Sequence, residues 1–170
     1  MERTIRSIIL ILVMSASLFA QQQLMPGNQA PEFTAIGLDG RQYSLSQFHG
    51  KVVVLTFWSS KCAICHHEIP KLNQVVERYQ GQDVVFLALT MESDSKVNSY
   101  IQKYPFNFSI LPNGFGVVLK YADMDKSGRI NMGFPAHFLI NRRGEIELRT
   151  DGWDKTANLE SNISRLLAAD

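Results

Sequence analysis

The chain has 170 residues, 45% of them hydrophobic and 19% charged, with 17 Lys and Arg against 16 Asp and Glu. That is enough apolar material for one buried core, and too even a charge balance for a polyanion-binding surface, so no nucleic-acid partner is expected. No low-complexity tract, no internal repeat and no apolar run approaching the roughly 20 residues of a spanning helix is present, which excludes disordered, solenoid, coiled-coil and multi-span classes.

Met1 to Arg6 carries two arginines, Ile8 to Met14 is continuously apolar, and Ser15 to Ala20 supplies small residues before Gln21-Gln22-Gln23. This order reads as a secretory signal over residues 1–20, cut near Ala20 or retained as a short amino-terminal anchor. Losing it removes Arg3, Arg6 and Glu2 and leaves 15 basic and 15 acidic side chains. The remaining domain, residues 27–170, is therefore expected outside the cytoplasm. Leu38-Asp39-Gly40-Arg41 is a turn signal between two short segments and predicts an amino-terminal hairpin.

Lys51 to Trp58 contains VVVLTFW, a β-branched and aromatic run suited to a strand buried on both faces. Next, Cys65, Ile69, Leu72, Val76 and Tyr79 fall on one face of a helix, which Pro70 should kink and Gly81 should close. Asp83 to Thr90 reads as a second buried strand and completes a βαβ unit, so the sheet is at least partly parallel. Helical spacing recurs over Asp94 to Tyr104 and over Phe115 to Tyr121. Phe138-Leu139-Ile140 and Glu145 to Arg149 flank a turn as a hairpin, and Leu159, Ile163, Leu166 and Leu167 mark a last amphipathic helix. The fold class is α/β, a mixed sheet flanked by helices with a hairpin extension at its amino end.

The two cysteines stand three residues apart, in Cys62-Ala63-Ile64-Cys65, between the first buried strand and its helix. So short a loop removes little unfolded-state entropy, and a working pair is a better reading than a static staple. At a helix start, free N–H groups and the helix dipole favour a Cys62 thiolate, and Lys61 adds a neighbouring cation. Cys65, one turn deeper on the same face, is placed to resolve a mixed disulfide formed at Cys62.

Together, Ala30-Pro31-Glu32-Phe33, Leu38-Asp39-Gly40, Gly50 to Trp58, the cysteine motif, Glu68-Ile69-Pro70 and Gly133-Phe134-Pro135 resemble the exported thioredoxin-fold thiol-disulfide oxidoreductases of the TlpA-like and ResA-like kind. The resemblance covers nearly everything after Gly27. It implies a thioredoxin-like fold, Cys62 as nucleophile, Cys65 as resolving thiol and Pro135 as a cis-proline presenting a substrate strand; Trp58 and Lys61 are taken as supporting residues, Lys61 through its charge and in place of the aromatic residue common in the family. It implies no cofactor, a disulfide or dithiol protein as substrate, a membrane electron donor, a monomer, and a bacterial periplasmic setting, with cytochrome c maturation as one service. Thioredoxins proper carry a buried aspartate six residues before the nucleophile, where this chain has Thr56. The proton acceptor must then lie elsewhere. Glu68, which matches a glutamate of the ResA-like group, is a candidate if desolvated, and otherwise a solvated residue of the first helical turns.

Other readings use the same residues. Cys62 to His66 fits the haem-attachment pattern C-x-x-C-H, and Cys62, Cys65 and His66 or His67 could bind copper in a carrier. A peroxiredoxin would share the fold, but its threonine three residues before the reactive cysteine is Ser59 here. Asp123 to Ile130 resembles half of a calcium loop and is read as a polar surface turn. His137, expected to alternate outward from its strand, and the bulky Phe134 are left outside the site.

Overall fold

The computed structural model describes residues 23–152 and 156–169. Residues 1–20, read from the sequence as a secretory signal, lie outside them. Strands β1 (Thr34–Ile36) and β2 (Gln42–Ser44) pair antiparallel as the expected hairpin. Gly40 takes the left-handed conformation (φ 77°) that closes the turn, and the Asp39 carboxylate accepts from the Arg41 N–H and the Tyr43 hydroxyl. A 3₁₀ turn, Leu45–Phe48, leads into β3 (Val52–Phe57).

β3 is the centre of a five-stranded sheet. Helix α1 (Ala63–Arg78) returns the chain to β4 (Val84–Leu89), parallel to β3, and α2 (Asp94–Ile101) leads to β5 (Ser109–Leu111), parallel to β4. After α3 (Phe115–Tyr121) a two-stranded ribbon, β6 (Asp123–Met124) and β7 (Ile130–Asn131), precedes β8 (Ala136–Ile140). β8 pairs antiparallel with β3, then β9 (Ile146–Asp151) with β8, and α4 (Thr156–Ala168) closes the chain. The sheet order is β5-β4-β3-β8-β9. This is the thioredoxin-like arrangement that the resemblance implies.

All six residues of β3 are buried, because alternate side chains enter different layers. Val53, Leu55 and Phe57 join Leu87, Leu89, Phe138 and Ile140 under the amino-terminal segment and α3. Val52 and Val54 face Leu72 and Val75 of α1 and Leu159 and Ile163 of α4. Toward the end of β3 that second layer continues as Trp58, Cys65, Ile69, Ala88, Val97 and Tyr100. Helix α1 runs through Pro70, and its buried face is Cys65, Glu68, Ile69, Leu72 and Val75, so the apolar stripe read from the sequence contains a carboxylate.

Three elements differ from expectation. β5 is three residues long and follows no recognisable run. The polar turn at Asp125 to Gly128 is real, but it joins the two strands of a ribbon: Asp125 accepts from the N–H and hydroxyl of Ser127 and from the N–H and guanidinium of Arg129, and these bonds, led by that from the Ser127 hydroxyl, hold its carboxyl down at about 2. The helix after Asp94 stops at Ile101, three residues before Tyr104.

Phe138 packs edge-on against Phe57 and Tyr121, with ring centroids 5.7 and 5.0 Å away, and is fully buried. Phe138→Ala is expected to lower the unfolding free energy by about 3–5 kcal/mol in a denaturant titration; a loss below about 1 kcal/mol would contradict this packing.

Candidate active site

The site forms where β3 ends. Ser59 to Lys61 carry the chain from the sheet to α1, and Glu92, beyond β4, holds them in place. Its carboxylate accepts from the Ser59 hydroxyl (3.0 Å), the Ser60 N–H (3.1 Å), the Ser60 hydroxyl (2.8 Å) and the Lys96 ammonium (2.9 Å). Burial pulls the Glu92 carboxyl upward, but the bonds from Lys96, Ser60 and Ser59 outweigh it and leave the group below the ordinary carboxylate range. Nothing in the sequence marked Glu92, because the contact spans more than 30 residues. The same carboxylate occupies the Ser59 hydroxyl at the position where a peroxiredoxin needs its threonine.

Cys62 is the N-cap of α1, as its place after the strand predicts, and its sulfur accepts the Cys65 N–H at 3.0 Å. The two cysteines are joined as a disulfide with their Cα atoms 5.2 Å apart. Their exposures differ: Cys62 is half-buried, whereas Cys65 has no accessible surface. A partner from solution can therefore reach one sulfur and not the other. The Cys62 sulfur lies 3.4 Å from the Phe134 carbonyl oxygen, and the Phe134–Pro135 peptide bond is cis. Chain segments that are distant in sequence thus converge on one sulfur.

Trp58 is buried behind the cysteines, its ring 5.0 Å from Tyr100 and 4.7 Å from Phe106. Lys61 is exposed, where solvent screens its field. The His66 ring lies against Tyr104 at 4.7 Å with Nε2 2.9 Å from the Ser60 carbonyl oxygen. Among the described residues no three His, Cys, Asp or Glu side chains are gathered as a metal site.

Beneath Cys65 the interior is polar. Glu68, only 2% exposed, accepts from the Thr156 hydroxyl at 2.6 Å and from the Lys71 ammonium at 3.3 Å, so it is not a solvated residue at the helix start. His137 corrects the sequence reading. It is 1% exposed, with Nδ1 2.9 Å from the Thr56 hydroxyl. All five residues of β8 are buried, since the strand lies between β3 and β9 with helices on one face and the amino-terminal layer on the other, and alternation therefore sends no side chain to water. Burial pushes the imidazole down to about 4, against a smaller upward pull from Glu68. The ring is neutral at neutral pH.

Residues 26–149 match the AhpC/TSA family. The thiol-disulfide oxidoreductase ResA of Bacillus cereus is 25% identical over 97% of both chains, and that of Geobacillus thermodenitrificans 29% identical over 84% of this chain and 83% of its own. Among solved structures, one from Chlorobium tepidum described as a thiol:disulfide interchange protein DsbE superposes with a TM-score of 0.73 at 26% identity, covering 85% of this chain and 99% of that one. Another, from Bacteroides thetaiotaomicron and described as a protein disulfide isomerase, gives 0.74 at 26% identity over 85% and 91%.

The folded His137 titrates below its ordinary value of 6.5, so it contributes stability above that pH and loses it as the pH falls toward 4, because the unfolded chain then binds more protons. The difference in unfolding free energy between the protein and its His137→Gln variant should shrink by about 2–3 kcal/mol from pH 7 to pH 4.5. Parallel stability curves over that range would contradict the buried, neutral imidazole.

Proposed function

The chain belongs to the AhpC/TSA family and is a thiol-disulfide oxidoreductase of the ResA-like kind with Cys62 and Cys65 as its C-x-x-C pair, and on that premise we propose that it is an extracytoplasmic reductase of protein disulfides. The observation that carries this reading is the unequal exposure of the two cysteines, Cys62 half-buried at a helix start and Cys65 sealed in the core. In the reaction the Cys62 thiolate attacks a sulfur of the substrate disulfide, the substrate S–S bond breaks, and the first substrate sulfur leaves with the electron pair. Cys65 gives up its proton and attacks Cys62, and the second substrate sulfur departs. The substrate is reduced by two electrons and the Cys62–Cys65 bond is formed.

The other residues fit this sequence. Helix α1 offers its unpaired N–H groups to the Cys62 thiolate, with the bond from the Cys65 N–H already aimed at that sulfur. Pro135 and the Phe134 carbonyl border the sulfur where an extended substrate segment would lie. Glu68, one turn after Cys65 on the same buried face, is the acceptor for its proton. Electrons return through a dithiol partner, for which a membrane donor is the natural source in an oxidising compartment. Residues 1–20 direct export, and immature cytochrome c is the substrate class suggested by the ResA-like resemblance.

Two variants test the order of events. Cys65→Ser should accumulate a covalent mixed disulfide with a disulfide-bonded substrate on non-reducing gels, and Cys62→Ser should form none and lose insulin-reductase activity by at least about 10³-fold, since the nucleophile is gone. A trapped adduct on Cys65 instead of Cys62 would overturn the assignment.

A further inference from the structure

Five polar side chains from five elements meet in the closed layer between the sheet, α1 and α4: Thr56 on β3, His137 on β8, Thr150 on β9, Glu68 on α1 and Thr156 on α4. Thr56, His137 and Thr150 are successive partners across β3, β8 and β9 and so project from the same face of the sheet. That face is the one α1 covers, because the neighbouring pair on it, Val54 and Leu139, packs against Leu72 and Val75. Two atoms of this cluster have no partner among the described residues, His137 Nε2 and Thr150 Oγ1. An unpartnered buried polar atom costs about 1–3 kcal/mol. The bond to Thr56 accounts for Nδ1 and leaves Nε2 without a structural reason.

The groups that face His137 narrow what it does. From β3 and β9 they are hydroxyls, and from α4 the Thr156 hydroxyl is engaged by Glu68. Helix α1 supplies the titratable ones: Glu68, whose charge acts on the ring, with Lys71 paired to it, and Cys65 one turn earlier on the same buried face. Thr56, the partner of Nδ1, stands where thioredoxins proper carry their buried aspartate, so the imidazole enters that location from the adjacent strand.

We propose that His137 is a positioning residue for the second thiol step, forming with Glu68 a buried two-site proton store that serves Cys65. This inference rests on the exchange reaction and the Glu68 assignment proposed above. When Cys65 resolves the mixed disulfide, its thiol proton passes to the Glu68 carboxylate, its sulfur bonds to that of Cys62, and the Cys62–substrate S–S bond breaks, the leaving sulfur keeping the pair of electrons. Nε2, unpartnered among the described residues, gives this proton a second seat, so it can stay in the closed layer without crossing to solvent. When a dithiol next reduces the Cys62–Cys65 bond, Cys65 leaves as a thiolate and takes the proton back. At neutral pH the store starts with a neutral ring and room for one proton.

The test is stopped-flow reaction of the reduced protein with 2,2′-dithiodipyridine, which releases one thiopyridone as Cys62 is modified and a second as Cys65 resolves the adduct. His137→Gln keeps a partner for Thr56 but cannot titrate. It should slow the second release about tenfold near neutral pH, a modest share of what proton-transfer assistance supplies, and shift the acid limb of that step, while the first release changes by less than about twofold. His137→Thr should do the same and serves if the glutamine variant does not fold. Second-step pH profiles that superpose on the parent's, or equal slowing of both steps, would overturn the proposal. Glu68→Gln separates the two assignments. If it slows the second release and the His137 variants do not, Glu68 keeps its role and the store is wrong. If it has no effect, the Glu68 assignment fails and the store with it. In the parent protein the imidazole NMR titration of His137 should differ between the dithiol and disulfide states, and coincident curves would count against the store.

Discussion

The carboxylate of Glu68 is buried in the face of α1 that also carries Cys65, and the region beneath the cysteines is organised around keeping it satisfied. A desolvated carboxylate costs several kcal/mol unless it is paired and hydrogen-bonded. Here α4 supplies the Thr156 hydroxyl and α1 itself supplies Lys71. The carboxylate is thereby a reason for α4 to dock at this place on the sheet, beside the apolar contacts of Leu159 and Ile163. The same burial sets the surroundings of the deeper sulfur: the Glu68 carboxylate, paired with Lys71, one helical turn away and a neutral imidazole across the sheet.

Above that layer the Cys62 sulfur is fixed by backbone. Cys62 ends a loop that Glu92 ties to the end of β4, and its sulfur faces the first N–H groups of α1 on one side and the Phe134 carbonyl on the other. The elements that deliver these groups come from opposite ends of the domain, and the antiparallel pairing of β3 with β8 brings them together: Phe57, just before the cysteine loop, is the register partner of Ala136, just after the cis-proline. Sheet topology thus does for the site what no local sequence feature could. The aromatic stack of Trp58, Tyr100 and Phe106 closes the core behind the loop and keeps Cys65 dry.

Much of this was legible in the sequence where one pattern dominates over many residues. VVVLTF could only be a buried strand, the steps of three and four after Cys65 marked the helix, and the Asp-Gly turn and the final amphipathic stretch each correspond to an observed element. The cysteine pair was legible from its spacing and its place at a helix start, and Pro135 through the resemblance. Three features were not. β5, β6 and β7 are two or three residues long, too short for any periodicity to show. Glu92 acts across a long loop and has no local signature. His137 was misplaced because period-two alternation distinguishes inside from outside only when one face of a strand meets water, and β8 has both faces covered. Glu68 fell between the two cases: the sequence left it open between a desolvated and a solvated carboxylate, and only the packing of α4 shows that the helix face at that point is closed.

The α1 N–H groups favour the Cys62 thiolate, but the exposed Lys61 is screened and Cys65 lies buried on the face that carries the Glu68 carboxylate, so the dithiol form of this pair is only modestly stabilised. A strong oxidant needs a strongly stabilised reduced form. The most direct test is the reduction potential of the Cys62–Cys65 couple, measured by equilibration against glutathione or dithiothreitol. A value near or below the roughly −270 mV of thioredoxin is the predicted result, and one near the roughly −120 mV of DsbA would contradict the reductase assignment.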